Sequence, residues 1–221
     1  MLLVVFALSA EARVFQRRLA KRTKRETFLE GTICGARVGI CFVGIRATAI
    51  TDFEETICRL RPPLVINSGF AGATRALLGP GDFLVASNYT TAQIDLPIGN
   101  LIDAIGPFCS VEQISGPVQK RRLGDSTIAV DMESRAIAAV CDRHQIPLIT
   151  ARMISDGRDE SVPAVFTGGK LRGPKDMIEA GQFAFRMLRL TQLLADRLTQ
   201  LLCFVTRPGQ RPDYGLMPSS S

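Results

Sequence analysis

The chain predicts a single α/β domain, and three observations predict it. Residues 2–8 form an unbroken apolar run, the pattern of a strand buried on both faces. Similar runs recur at 64–67, 126–130 and 148–154, and stretches of helical spacing alternate with them, as at 135–144. The length of 221 residues suits one such domain with a substantial core.

Taken in order, the run at 2–8 is followed by Ser9, which can cap a helix whose apolar face is Ala12, Val14, Phe15 and Leu19. The basic residues Arg17, Arg18, Lys21, Arg22, Lys24 and Arg25 read as the solvated end of that helix. Residues 27–33 and 37–43 read as two strands of a hairpin turning at Cys34-Gly35-Ala36. A helix over 47–60 is stopped by Arg61-Pro62-Pro63. The strand at 64–67 runs into Ser68-Gly69-Phe70-Ala71-Gly72-Ala73, which reads as a small-residue loop or a plain tight turn and matches neither GxGxxG nor the P-loop. Residues 83–87 and 109–114 read as strands, 88–107 fits no element, and 116–123 reads as a short basic helix. Pro174, well placed at a first helical position, opens a long helix to about residue 203. Residues 1–205 are thus one domain, and 206–221, rich in Pro, Gly and Ser, read as a disordered tail.

The carboxylates fall at informative places. The run at 126–130 ends in Asp131-Met132-Glu133-Ser134, and the run at 148–154 ends in Ser155-Asp156-Gly157. Ligands of open α/β sheets bind at the carboxyl ends of strands. If the two strands are neighbours, Glu133 and Asp156 reach one edge of the sheet. Glu11 follows the first strand in the same way, although a first-turn glutamate also complements the positive end of its helix.

Composition excludes several classes. A net charge of +6 without a basic stripe interleaved with aromatics gives no nucleic-acid interface. Charges at Arg186, Arg189, Asp196 and Arg197 exclude a membrane span from the long helix. His144 is the sole histidine, and no CxxC pair exists, so neither a histidine triad nor a zinc site is expected; no metal or other cofactor is implied. The cysteines sit mostly in apolar runs and read as free thiols of a cytoplasmic protein.

Three stretches together resemble the nucleoside phosphorylase and nucleosidase superfamily, which includes the 5′-methylthioadenosine/S-adenosylhomocysteine nucleosidases. They are Phe6-Ala7-Leu8-Ser9-Ala10-Glu11; Asn67-Ser68-Gly69-Phe70-Ala71-Gly72 with Gly81-Asp82; and Ala129-Val130-Asp131-Met132-Glu133-Ser134 with Arg152-Met153-Ile154-Ser155-Asp156. The third is the specific one. The resemblance implies a central mixed β-sheet flanked by helices, usually in a homo-oligomer, and a small-molecule nucleoside as partner. It implies that Asp156 is the general acid that protonates the leaving base, with Ser155 orienting it. Glu133 would hold the ribose hydroxyls, Met132 would pack on the sugar, and Glu11 would activate water. Asp131, Phe70, Ala71, Gly72 and Arg152 would complete the substrate site.

The reaction so implied is hydrolysis of the N-ribosidic bond of an adenine-type nucleoside. Phosphorolysis is the alternative, with Arg46 and Arg13 as phosphate ligands. The opening Ala10-Glu11-Ala12-Arg13 also resembles the hopanoid-associated branch, whose substrate carries an adenosyl group on a large lipid. A non-catalytic nucleoside-binding protein is the remaining class. Three departures bear on the substrate: region 88–107 is short, Arg46 stands where nucleosidases usually carry glycine, and Phe70 occupies a position that is often small.

Overall fold

The computed structural model describes residues 1–113, 116–167, 170 and 173–207. In chain order the elements are β1 (Leu2–Phe6), α1 (Ser9–Arg18), β2 (Ala20–Lys24), β3 (Leu29–Ile33), β4 (Ala36–Phe42), α2 (Ile50–Leu60), β5 (Val65–Ala73), β6 (Phe83–Ala86), β7 (Ala104–Gly106), β8 (Phe108–Ser110), α3 (Pro117–Leu123), β9 (Ala129–Asp131), α4 (Ser134–Arg143), β10 (Leu148–Asp156) and α5 (Pro174–Val205). The strands form one mixed sheet in the order β2-β3-β4-β1-β5-β10-β6-β7, with β9 joined to β5 and β8. The expected α/β architecture, a central mixed sheet flanked by helices, is what the chain forms.

β1 is buried on both faces, which is why it reads as an unbroken apolar run. Leu2, Val4 and Phe6 face one core with Phe15 of α1 and Leu194, Leu198 and Leu201 of α5. Leu3 and Val5 face the other, with Phe53 and Ile57 of α2 and Ile137 and Val140 of α4. The cores clamp the strand from both sides and fix where its carboxyl end emerges.

The topology then makes a cleft. β1 runs parallel to β5 and pairs with it only as far as Val5↔Asn67. Farther along the same edge of β5, β9 pairs antiparallel, at Gly72↔Val130. The carboxyl ends of β1 and β9 therefore point toward each other across the stretch of β5 between those pairings. β10 runs parallel to β5 along its other edge and brings Asp156 opposite Gly72. β9 and β10 are thus not neighbours, as the sequence suggested; they flank β5.

Several local expectations are corrected. The basic run is not a helix end beyond Arg18: β2, exposed throughout, pairs antiparallel with β3 as an edge strand. Lysine and arginine on such an edge discourage pairing with other chains. Residues 68–73 are not a loop but the second half of β5. Small residues there reflect how closely other groups approach that strand. Leu8, not Ser9, stands at the cap position of α1, and its N–H is accepted by Glu11 Oε2 at 3.1 Å. Cys41, Cys58, Cys109 and Cys141 are free thiols as expected, but Cys34 and Cys203 are joined in a disulfide that ties the β3–β4 turn to the end of α5. Of the expected tail, only Thr206 and Arg207 are among the described residues; Thr206 closes α5 through its N–H to Leu202 O at 3.1 Å. No described helix is long and apolar enough to cross a membrane.

Candidate active site

A cleft opens at the gap between β1 and β9, at the carboxyl ends of the strands, where ligands of open α/β sheets bind. Its floor is Phe70, Ala71 and Gly72 of β5. Glu11 enters from α1, Asp131, Met132 and Glu133 from the β9–α4 junction, and Ser155 and Asp156 from the end of β10.

Glu11 lies over β5 at Gly69, whose φ is +139°. A Cβ built there would stand 2.7 Å from Arg152 Nη1 and 3.2 Å from Glu11 Oε2. Only glycine admits both groups and adopts this backbone without strain. Glu11 is partly buried as a residue, but its carboxyl is enclosed in the cleft. Burial pushes its pKa up to about 7, against the opposing pull of Arg152 and the Leu8 N–H. The helix end thus does not keep it strongly ionised, contrary to the simple first-turn argument.

Arg152 does not line the cleft. It is fully buried beneath it, its Nε donating to Asp131 Oδ2 at 3.0 Å and Nη1 to Ser68 O. Its Nη2 lies 4.0 Å from Glu133 Oε2. One guanidinium thereby offsets the charge of three carboxylates, Asp131, Glu133 and Glu11. Asp131 lines the wall, but its oxygens are already engaged: Oδ1 accepts from Ser110 Oγ at 2.8 Å and from the Ser134 N–H at 3.3 Å, and Oδ2 accepts from Ser134 Oγ as well as Arg152. It positions the start of α4.

Glu133 keeps more freedom. Oε1 accepts the Arg46 N–H at 3.0 Å, made available by the left-handed turn at Gly44 (φ +73°) and Arg46 (φ +57°). Burial raises its pKa, with Arg152 and this N–H opposing. Asp156 accepts from Ser155 Oγ on Oδ1 at 2.5 Å and from Lys120 Nζ on Oδ2. Lys120, on α3, is 1% exposed and also donates to Gly157 O and Glu160 O, each at 2.9 Å.

No protein-family model matches the chain. In sequence it is 28% identical to the 5′-methylthioadenosine/S-adenosylhomocysteine nucleosidase of Haemophilus influenzae strain PittEE over 196 residues, 71% of this chain and 86% of that protein. Its structure superposes with a TM-score of 0.69 on the same enzyme of Streptococcus pneumoniae, solved with a transition-state inhibitor, over 91% of this chain and 98% of that one at 16% identity. The chain has the nucleosidase fold. The futalosine hydrolase of Helicobacter pylori shares this fold too, with a TM-score of 0.66 at 18% identity, covering 91% of this chain and 96% of that one.

Within the nucleosidase fold, the structure brings Glu11, Phe70, Ala71, Gly72, Asp131, Met132, Glu133, Ser155 and Asp156 to one cleft. It does not bring Arg13 or Arg46 there. Both are exposed, and Arg46 reaches the site only through its backbone N–H to Glu133. Sequence reasoning missed Lys120. It stands beside Arg121 and Arg122 in a basic run, and nothing in that run singles it out; only the fold turns it inward. The burial of Arg152 had one signal in the sequence: an arginine inside an apolar strand needs partners.

Proposed function

We propose that the protein hydrolyses the N-ribosidic bond of an adenine-type purine nucleoside and releases the free base. The observation that carries this reading is the meeting of Glu11, Glu133 and Asp156, from three separate elements, in one cleft. Asp156 protonates a ring nitrogen of the leaving base as the bond to the anomeric carbon breaks. Ser155 fixes the carboxyl's orientation through Oδ1. Glu133, held by the Arg46 N–H, offers its remaining acceptor capacity to the ribose hydroxyls. Met132 and Phe70 supply apolar walls. Glu11, with its pKa near 7, takes a proton from the attacking water at neutral pH.

Water is favoured over phosphate by the placement of the cations. Among the described residues lining the cleft the only cation is Lys120, and its three donors are already used by Asp156, Gly157 O and Glu160 O. Arg13 and Arg46 lie outside it. Base release is therefore expected in phosphate-free buffer and is not accelerated by millimolar phosphate. Strict dependence on phosphate, with a sugar 1-phosphate as product, would reject hydrolysis. The substrate panel starts with 5′-methylthioadenosine and S-adenosylhomocysteine, named for the relatives, and includes adenosyl compounds with bulky apolar 5′ groups.

A second copy of the chain is the occupant we assign to the outer face of α5, where Met177, Ile178, Phe185 and Leu188 are exposed at helical spacing. Light scattering of the purified protein tests this: a dimer or larger assembly is expected.

A further inference from the structure

Building on the proposed hydrolysis, we propose that Lys120 is a positioning residue that holds, as its ammonium proton, the proton that Asp156 delivers to the leaving base. The general acid must be protonated at the moment of bond cleavage, yet Asp156 rests against a buried cation. That pair is 1% and 5% exposed, so water neither screens it nor supplies protons freely. An ammonium against a carboxylate and an amine against a carboxylic acid carry the same number of protons. The two forms interconvert along one hydrogen bond, from Lys120 Nζ to Asp156 Oδ2.

The step balances. A proton passes from Nζ to Oδ2, and the Asp156 carboxyl gives a proton to the base nitrogen. The electron pair of the breaking C–N bond stays with the base. Water adds to the anomeric carbon, and its surplus proton goes to Glu11. Lys120 is left as an amine and Glu11 as an acid, and exchange with solvent resets both once the products leave. Gly157 O and Glu160 O hold Nζ in line while this happens. Its Cε packs over Gly72 of β5, where an added Cβ would stand 3.1 Å from it.

Other charged groups face the pair from each neighbouring element. Glu160 is held by Arg186 of α5 at 2.6 Å, Asp131 and Glu133 are balanced by Arg152, and Glu11 lies across the cleft. Arg121 and Asp159 pair on the exposed side of α3. None of the cations among these donates to Asp156; Lys120 does.

The test is the pH profile of kcat/KM for base release by wild type, Lys120→Met and Lys120→Arg, with far-UV circular dichroism to establish folding. Lysine releases its proton at higher pH than a carboxyl does. In Lys120→Met, Asp156 is the sole proton source, so the alkaline limb moves down by at least one pH unit. Lys120→Arg keeps the charge but its guanidinium does not release a proton, so turnover falls at least tenfold at every pH. A purely structural lysine would lower rates without moving the limb. An unmoved limb in Lys120→Met overturns the proposal, and so does wild-type turnover in Lys120→Arg, a variant that fills the same space and reads the outcome even if Lys120→Met does not fold. Failure of the wild type to release base from any nucleoside would instead reject the functional reading itself, and this inference with it.

Discussion

Glu11 shows how one residue can carry a function at a cost to stability. Its carboxyl is moved from 4.5 to about 7 by burial, more than Arg152 and the Leu8 N–H can offset. Two consequences share this cause. The acid limb of kcat/KM for base release should fall near pH 7, because the water-activating form is the ionised one. Glu11→Gln should lower kcat at least 10²-fold while leaving nucleoside binding intact. The stability effect has the opposite sign. A raised folded-state pKa means the fold prefers the protonated form. The contribution is full below about pH 4.5 and is lost as pH rises through about 7. Glu11→Gln should therefore be more stable than wild type at pH 8, by on the order of 3 kcal/mol, and about equally stable at pH 4.5. Thermal melts at the two pH values check this. Equal melting temperatures at pH 8 would mean the carboxyl is not desolvated. The positions of Glu11, Glu133 and Asp156 were legible because each follows an apolar strand. The raised pKa values of Glu11 and Glu133 were not, because they come from burial in the folded cleft, opposed by Arg152, which arrives from elsewhere in the chain.

At the scale of elements, β5 decides the site. It is nine residues long, while β1 pairs with only its first three and β9 with its last two residues. The stretch of edge left between those pairings becomes the floor of the cleft. The sequence signalled β1 and β10 clearly, since both are continuously buried. It misled at residues 68–73, where glycine, alanine and serine resemble a turn. Gly69 lies under Glu11 and Arg152, and Gly72 under Lys120 and Asp156, so neither position has room for a larger side chain. Gly69→Ala tests this directly. The added methyl would meet the Arg152 guanidinium, and the backbone angle is one that alanine adopts only with strain. We expect a loss of roughly 1–3 kcal/mol in urea unfolding together with a fall in turnover. A variant as stable and active as wild type would place Glu11 and Arg152 farther from β5. β2 was missed for a different reason: an edge strand with no buried side chain has no apolar period to read. The pairing of Cys34 with Cys203, 169 residues apart, likewise had no local signature. Alkylation of the unfolded, unreduced protein should modify four cysteines, and six after reduction.

For the whole molecule, the site is a charge cluster built into the sheet around Arg152. Its guanidinium sits between β5, β9 and α4, touching Ser68, Asp131 and Ser134 and lying beside Glu133. Asn67 Nδ2 bonds Ser134 Oγ at 3.0 Å, so the same network joins the central strand to the helix that presents Glu133. Breaking a buried pair by removing one partner costs more than the pair contributes, because a charge is left uncompensated. Arg152→Met removes the cation and keeps most of the volume. At pH 8 the loss should be about 3–5 kcal/mol. Its pH dependence identifies the cause. Arg152 lowers the pKa of both Glu11 and Glu133, so without it both rise further above their unfolded values. Carboxyls with raised folded-state pKa values favour the fold at low pH and disfavour it as pH rises through those values. The variant should therefore recover stability relative to wild type between pH 8 and pH 5, as the stranded carboxylates take up protons. A deficit that stays constant across that range would mean that Arg152 acts through packing alone, and that the three carboxylates of the cleft are not held by its charge.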